Sequence, residues 1–93
     1  MKKYIFRMHA ARQMQKRAIS VNDVKQIIEE GEVIKEYPDD QPYPSRLFNG
    51  KINDRPMHVV VAENREENTC IIITAYEPDP ALWSDGFTRR VKS

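Results

Sequence analysis

"MHVVVAENREENTCIIITAYEPD" (Met57 to Asp79) decides the fold. Two apolar runs, "MHVVVAEN" at 57–64 and "TCIIITAY" at 69–76, flank the polar "REEN". Valine and isoleucine dominate both, and β-branched side chains pack well on a pleated surface. Runs this short, bounded by polar turns, read as strands rather than helices. Their near-continuous apolar character suits central strands covered on both faces, or on one face and a shallow cleft. The polar chemistry sits at one end of the pair, where His58 opens the first run and Tyr76 closes the second. In alternation His58, Val60 and Ala62 share a face, as do Cys70, Ile72, Thr74 and Tyr76. The "REEN" turn sets the pairing parity: an odd loop puts His58 with Thr74 and Tyr76, an even one with Ile73 and Ala75.

Working outward, "NDRP" (53–56) reads as a hairpin turn after the strand "SRLFNGKI" (45–52), in which Gly50 is a candidate bulge. "EVIKEY" (32–37) is a further strand, separated from it by the proline-broken loop "YPDDQPYPS". Upstream, Ser20 and Asp23 form a Ser-x-x-Asp capping pattern ahead of Val21, Val24, Ile27 and Ile28, and Gly31 is placed to end that helix in a left-handed conformation. A first helix is expected over about Arg7 to Arg17, with Met8, Ala11, Met14 (or Gln15) and Ala18 as its apolar stripe and His9, Arg12, Gln13 and Lys16 on a neighbouring face. Downstream, "ALWSDGF" is expected to make one helical turn, with Trp83 folding back over the sheet end as a lid rather than stacking on a base. "TRRVKS", within a basic tail of about 87–93, is expected to fray. Two helices followed by four antiparallel strands give an α+β fold in a single domain spanning 1–93.

The net charge of +1 names no partner. Its distribution is uneven: residues 1–17 hold six cations and no acid, while residues 18–40 hold two cations and seven acids. A basic end is a candidate polyanion contact, with a solvated helix face as the plainer reading. Cys70 is the only cysteine, which excludes an intrachain disulfide and a thiolate zinc site, and its apolar setting makes it a core residue. Asp39 and Asp40 have no partner cluster, so neither a metal nor another cofactor is expected. No phosphate-binding glycine loop or nucleophile motif is present in the sequence. No run approaches a membrane span or a signal core, so the cytoplasm is the default compartment. Only two histidines, His9 and His58, offer acid–base chemistry near neutrality. Arg46, Arg55 and Arg65, from the sheet and its turns, have the fork that grips phosphate, though each alone reads as a surface charge.

Taken together, "MHAARQMQKRAISVNDVKQIIEEGEVIKEYPDDQPYPSRL", "RPMHVVVA" and "IIITAYEPDPALW" resemble a bacterial family known only as a domain of unknown function, over roughly residues 7 to 85. That family is similar to the RelE/ParE and BrnT toxins of type II toxin–antitoxin systems. The resemblance implies a RelE-like fold, of the barnase–EndoU–colicin–RelE type, with two N-terminal helices on an antiparallel sheet of about four strands. It also implies a cognate antitoxin, often a short zinc-finger protein of the YgiT/MqsA type, and RNA, including ribosome-bound mRNA, as substrate. Carried over position by position, it marks His9, His58 and Tyr76 as catalytic. Arg12 and Arg17 then stabilise a charged phosphorane and hold substrate, and Lys16, by its spacing from His9, and Arg46, by its guanidinium fork, are the further candidates for holding substrate. The expected reaction is metal-independent cleavage by 2′-OH transphosphorylation, with His58 and His9 as acid and base and Tyr76 orienting the substrate or donating a proton. Relatives of this fold also include gyrase poisons, so a binding module without chemistry, or an inactive family member, is the alternative.

Overall fold

The computed structural model describes residues 2–91. The elements run β1 (Lys3–Phe6), α1 (Met8–Lys16), α2 (Val21–Glu30), β2 (Glu32–Tyr37), β3 (Ser45–Ile52), β4 (Arg55–Asn64), β5 (Thr69–Tyr76), β6 (Trp83–Ser84) and β7 (Arg89–Arg90). The first five strands form one sheet in the order β1-β5-β4-β3-β2, and β6 and β7 form a separate hairpin. The architecture is α+β, with a sheet that is antiparallel except for β1, which pairs parallel with β5.

Helix α2 forms as its sequence dictates. The Ser20 hydroxyl accepts from the Asp23 amide at 3.0 Å, and the Asp23 carboxylate accepts from the Ser20 amide at 3.0 Å. Both interactions satisfy amide hydrogens that the first helical turn leaves without partners. Val24 and Ile27 then point inward with α1's Ala10 and Met14. The two helices cover one face of the sheet, where Phe48, Met57, Val59, Val61, Cys70, Ile72 and Ala75 complete the core. Cys70 is buried there, as its apolar setting predicts.

Several local expectations are corrected. Ala10 and Met14 are the buried residues of α1, whereas Met8 is 69% exposed and Ala11 and Ala18 also face out, so the apolar stripe is displaced around the helix. Gly31 is extended rather than left-handed (φ −75°, ψ 174°). It is a glycine for want of room: a Cβ there would lie 2.5 Å from the Ile27 carbonyl oxygen and 2.7 Å from that of Asn49. Gly50 marks no bulge, because the β3–β4 register runs without a shift from Ser45↔Ala62 to Ile52↔Arg55. A Cβ at Gly50 would instead meet the Ile27 side chain at 2.7 Å. The β3–β4 turn is the two-residue Asn53-Asp54, both at positive φ (50° and 66°), which these short polar residues tolerate.

The strand count is also corrected. "KYIF" is a fifth strand, and the segment expected to be a helical turn and a frayed tail folds back as the β6–β7 hairpin. Residues 92 and 93 of the tail lie outside the described residues. The hairpin's bend holds three consecutive residues at positive φ, Asp85, Gly86 and Phe87. It sits on the sheet face opposite the helices, against His58.

Candidate functional site

The β4–β5 pair carries the site. Asn64 pairs with Thr69, so the "REEN" loop is four residues long, an even number. Extended along both strands, that register would set His58 opposite Ala75. It does not, because the pairing shifts between Val60 and Val61: Val60 faces Thr74, Val61 faces Ile72, and Ile73 has no partner. This one-residue bulge restores the odd parity. His58 therefore stands opposite Tyr76, on the face away from the helices.

There the His58 Nδ1 lies 3.1 Å from the Tyr76 Oη, and its Nε2 lies 2.8 Å from the Phe87 carbonyl oxygen in the hairpin bend. A carbonyl can only accept, so Nε2 carries the proton. Nδ1 is then an acceptor, and the Tyr76 hydroxyl donates to it. His58 is fully buried, and burial pushes its pKa below the ordinary histidine value against the opposing effect of the Phe87 carbonyl. Tyr76 moves the other way: burial raises its pKa, the neighbouring Tyr37 adds to that, and Arg90 opposes it. Around neutrality the pair is a neutral imidazole and an intact phenol.

Tyr76 is also one wall of a cleft of about 360 Å³ on this face. Its floor is Leu47 and Val60. Ile34, Lys35 and Tyr37 enter from β2, and Trp83, Thr88 and Arg90 from the hairpin. Trp83 meets the His58 ring edge-on, with centroids 4.4 Å apart, so it does cap the sheet. Lys35 lies over Tyr37 at 5.3 Å and Arg90 over Trp83 at 5.7 Å, so the cleft has two cations resting on aromatic rings. The hairpin is seated on the sheet by its backbone. Asn49 on β3 donates to the Gly86 carbonyl at 3.1 Å, as His58 does to that of Phe87. Asn49 also donates to Glu32, and its own oxygen is buried without a partner among the described residues.

The other residues marked in the sequence do not reach this cleft. His9, Arg12, Lys16 and Arg17 are exposed on or beside α1, on the helix side of the sheet, so His9 and His58 do not converge. Arg46 pairs with Val61 across the strands and so points to the helix side, where it lies 3.4 Å from Glu36 and 3.6 Å from Glu63. Arg55 is spent structurally: it grips the Arg17 and Ala18 carbonyls after α1 and pairs with Glu77. Asp40 accepts from the Ser45 hydroxyl at 2.6 Å, and no cluster of three metal-ligating side chains occurs among the described residues. Conversely, sequence reasoning passed over Lys35, Tyr37, Thr88 and Arg90. Lys35 and Tyr37 alternate within "EVIKEY", and the "DG" pair in "WSDGFTRR" is a hairpin signal.

Residues 6–77 match the family described as Domain of unknown function (DUF4258). The chain belongs to this family. Neither a curated protein nor a solved structure matches it. The DUF4258 span includes His58, Tyr76, Lys35 and Tyr37 and stops before Trp83, Thr88 and Arg90. The paired side chains thus lie within the DUF4258 region, and the hairpin that completes the cleft is added after it.

Proposed function

We propose that the protein is a toxin-like endoribonuclease of the RelE/ParE and BrnT kind, acting without a metal on single-stranded RNA held against the open sheet face. The observation that carries this reading is the Tyr76 hydroxyl, which lines a cationic, aromatic cleft while hydrogen-bonded to the buried His58. In this scheme the ribose 2′-OH gives its proton to Tyr76 Oη as Tyr76 passes its own to His58 Nδ1. The freed 2′-oxygen attacks the adjacent phosphorus, and the bond to the 5′-oxygen breaks. The resulting imidazolium is held by the Phe87 carbonyl. Arginine keeps its proton, so Arg90 would steady the phosphorane and Lys35 would protonate the leaving oxygen. The products are a 2′,3′-cyclic phosphate and a 5′-hydroxyl. General acid–base steps of this kind contribute about 10²–10⁴-fold each. His58 and Tyr76 keep the catalytic parts given them by resemblance. His9, Arg12, Lys16, Arg17 and Arg46, lying on the other side of the sheet, are left for contacts with an antitoxin or the ribosome.

A second reading, binding without chemistry, is favoured by one observation: both nitrogens of His58 are already bonded and the ring is sealed from solvent. Induced expression with mapping of RNA 5′ ends separates the two, with and without co-expression of a zinc-finger partner encoded alongside. New 5′-hydroxyl ends that disappear in Tyr76→Phe and His58→Asn support cleavage. Growth arrest without new ends, unchanged in Tyr76→Phe, supports binding alone.

A further inference from the structure

We propose that the cleft is a one-nucleotide subsite, in which an unpaired RNA base stacks on the aromatic wall of Trp83 and Tyr37 while its phosphate is held by Lys35 and Arg90. This rests on the open sheet face being the RNA site and adds which groups hold which part of the strand. The wall combines flat apolar surface with two exposed cations and, among the described residues, no carboxylate, the combination that binds single strands through base faces and backbone charge. Its volume of about 360 Å³ fits one nucleotide, at the lower end of small-ligand pockets. A duplex hides its base faces and cannot enter.

The cations also rest on the rings of the cleft. Lys35 over Tyr37 and Arg90 over Trp83 hold the rings upright, and both long side chains can swing out to a phosphate as a base slides onto the rings. The edge-on contact with His58 fixes the Trp83 plane from behind. Trp83 comes from the hairpin and Tyr37 from β2, so neither element forms the subsite alone.

Trp83 is the only tryptophan of the chain, so its fluorescence reports the cleft directly. The full-length protein is titrated with a 2′-O-methyl RNA octamer, which lacks the attacking hydroxyl, and with the same strand annealed to its complement. The expected result is quenching of Trp83 by the single strand and not by the duplex. Affinity should fall between about 5- and 150-fold in Tyr37→Ala, the usual range for losing a stacking platform. One neutralised phosphate predicts a slope of log K against log salt of about −0.7, which should flatten in Lys35→Ala/Arg90→Ala. This double variant changes only exposed side chains, so it remains informative if Tyr37→Ala folds poorly. Octamer binding with unchanged Trp83 fluorescence, equal binding of the duplex, or unchanged affinity and salt slope in Lys35→Ala/Arg90→Ala would overturn the subsite. Octamer binding with no cleavage of unmodified RNA would leave the subsite standing and remove the nuclease. Cleavage of unmodified RNA by the parent protein with no quenching of Trp83 by the octamer would do the reverse.

Discussion

His58 and Tyr76 stand opposite each other across β4 and β5, joined Nδ1 to Oη at 3.1 Å, because the unpaired Ile73 takes up one residue between them and the turn. Among the described residues the hydroxyl is the only partner of Nδ1. In Tyr76→Phe a buried ring acceptor is left unpaired, and that costs about 1–3 kcal/mol. Urea unfolding should show this loss with an unchanged m value. A Tyr76→Phe protein as stable as the parent would mean that the hydrogen bond does not hold in solution.

The pH dependence of stability follows from the direction of the His58 shift. Its folded pKa lies below the unfolded one, so around and below pH 6.5 the unfolded chain binds more protons than the folded chain. The stability associated with neutral His58 is therefore fully present above the unfolded pKa and is lost as pH falls through the folded one. The test is the difference in unfolding free energy between parent and His58→Gln across pH 5 to 8, where the parent should show the steeper decline on acidification. Parallel profiles would contradict it.

Two glycines separate crowding from backbone strain. A Cβ at Gly31 would strike two backbone carbonyl oxygens, which cannot move aside as a side chain can. Gly31→Ala should therefore cost about 3 kcal/mol or more, at the upper end for overpacking. Gly86 has open space around it but a φ of +68°, so Gly86→Ala should cost only the left-handed penalty of roughly 1–2 kcal/mol. Thermal melts of the two variants should rank in that order.

The basic stripe of α1 and the cleft occupy opposite sides of the sheet. Charge reversal in Arg12→Glu/Lys16→Glu should leave octamer affinity at the cleft within about twofold. Its effect should fall instead on capture of any partner that docks on α1. A tenfold loss of octamer affinity in this variant, measured by the same fluorescence titration, would place RNA on the helix side.

How much of this was legible depended on where the signal was local. Helix α2 was readable because its cap and its apolar spacing are both written within eleven residues, Ser20 to Glu30. Strands β2 to β5 were readable from apolar runs and turn residues. Strand β1 was not: "KYIF" gains its place by parallel pairing with β5, more than 60 residues away in sequence, and nothing local announces that. In α1 two small alanines compete for the buried position, and spacing chose Ala11 where packing chose Ala10. Of the site, His58 and Tyr76 were visible as polar residues at the ends of apolar strands. Their pairing was not, because the bulge falls at Ile73, which has isoleucines on its N-terminal side and looks like any of them. Lys35 and Arg90 were hidden because a cleft between two elements leaves no pattern in either.

The hairpin's anchorage has one further consequence. Gly86 and Phe87 hold to Asn49 and His58 through carbonyl oxygens, groups that every residue possesses. Positions 83, 88 and 90 point into the cleft and take no part in those two bonds. The protein thus carries a partly exchangeable faceplate: positions 88 and 90 can be rewritten for a different ligand while the mount, and the His58–Tyr76 pair behind it, stay as they are, whereas Trp83 is tied to the edge of the His58 ring.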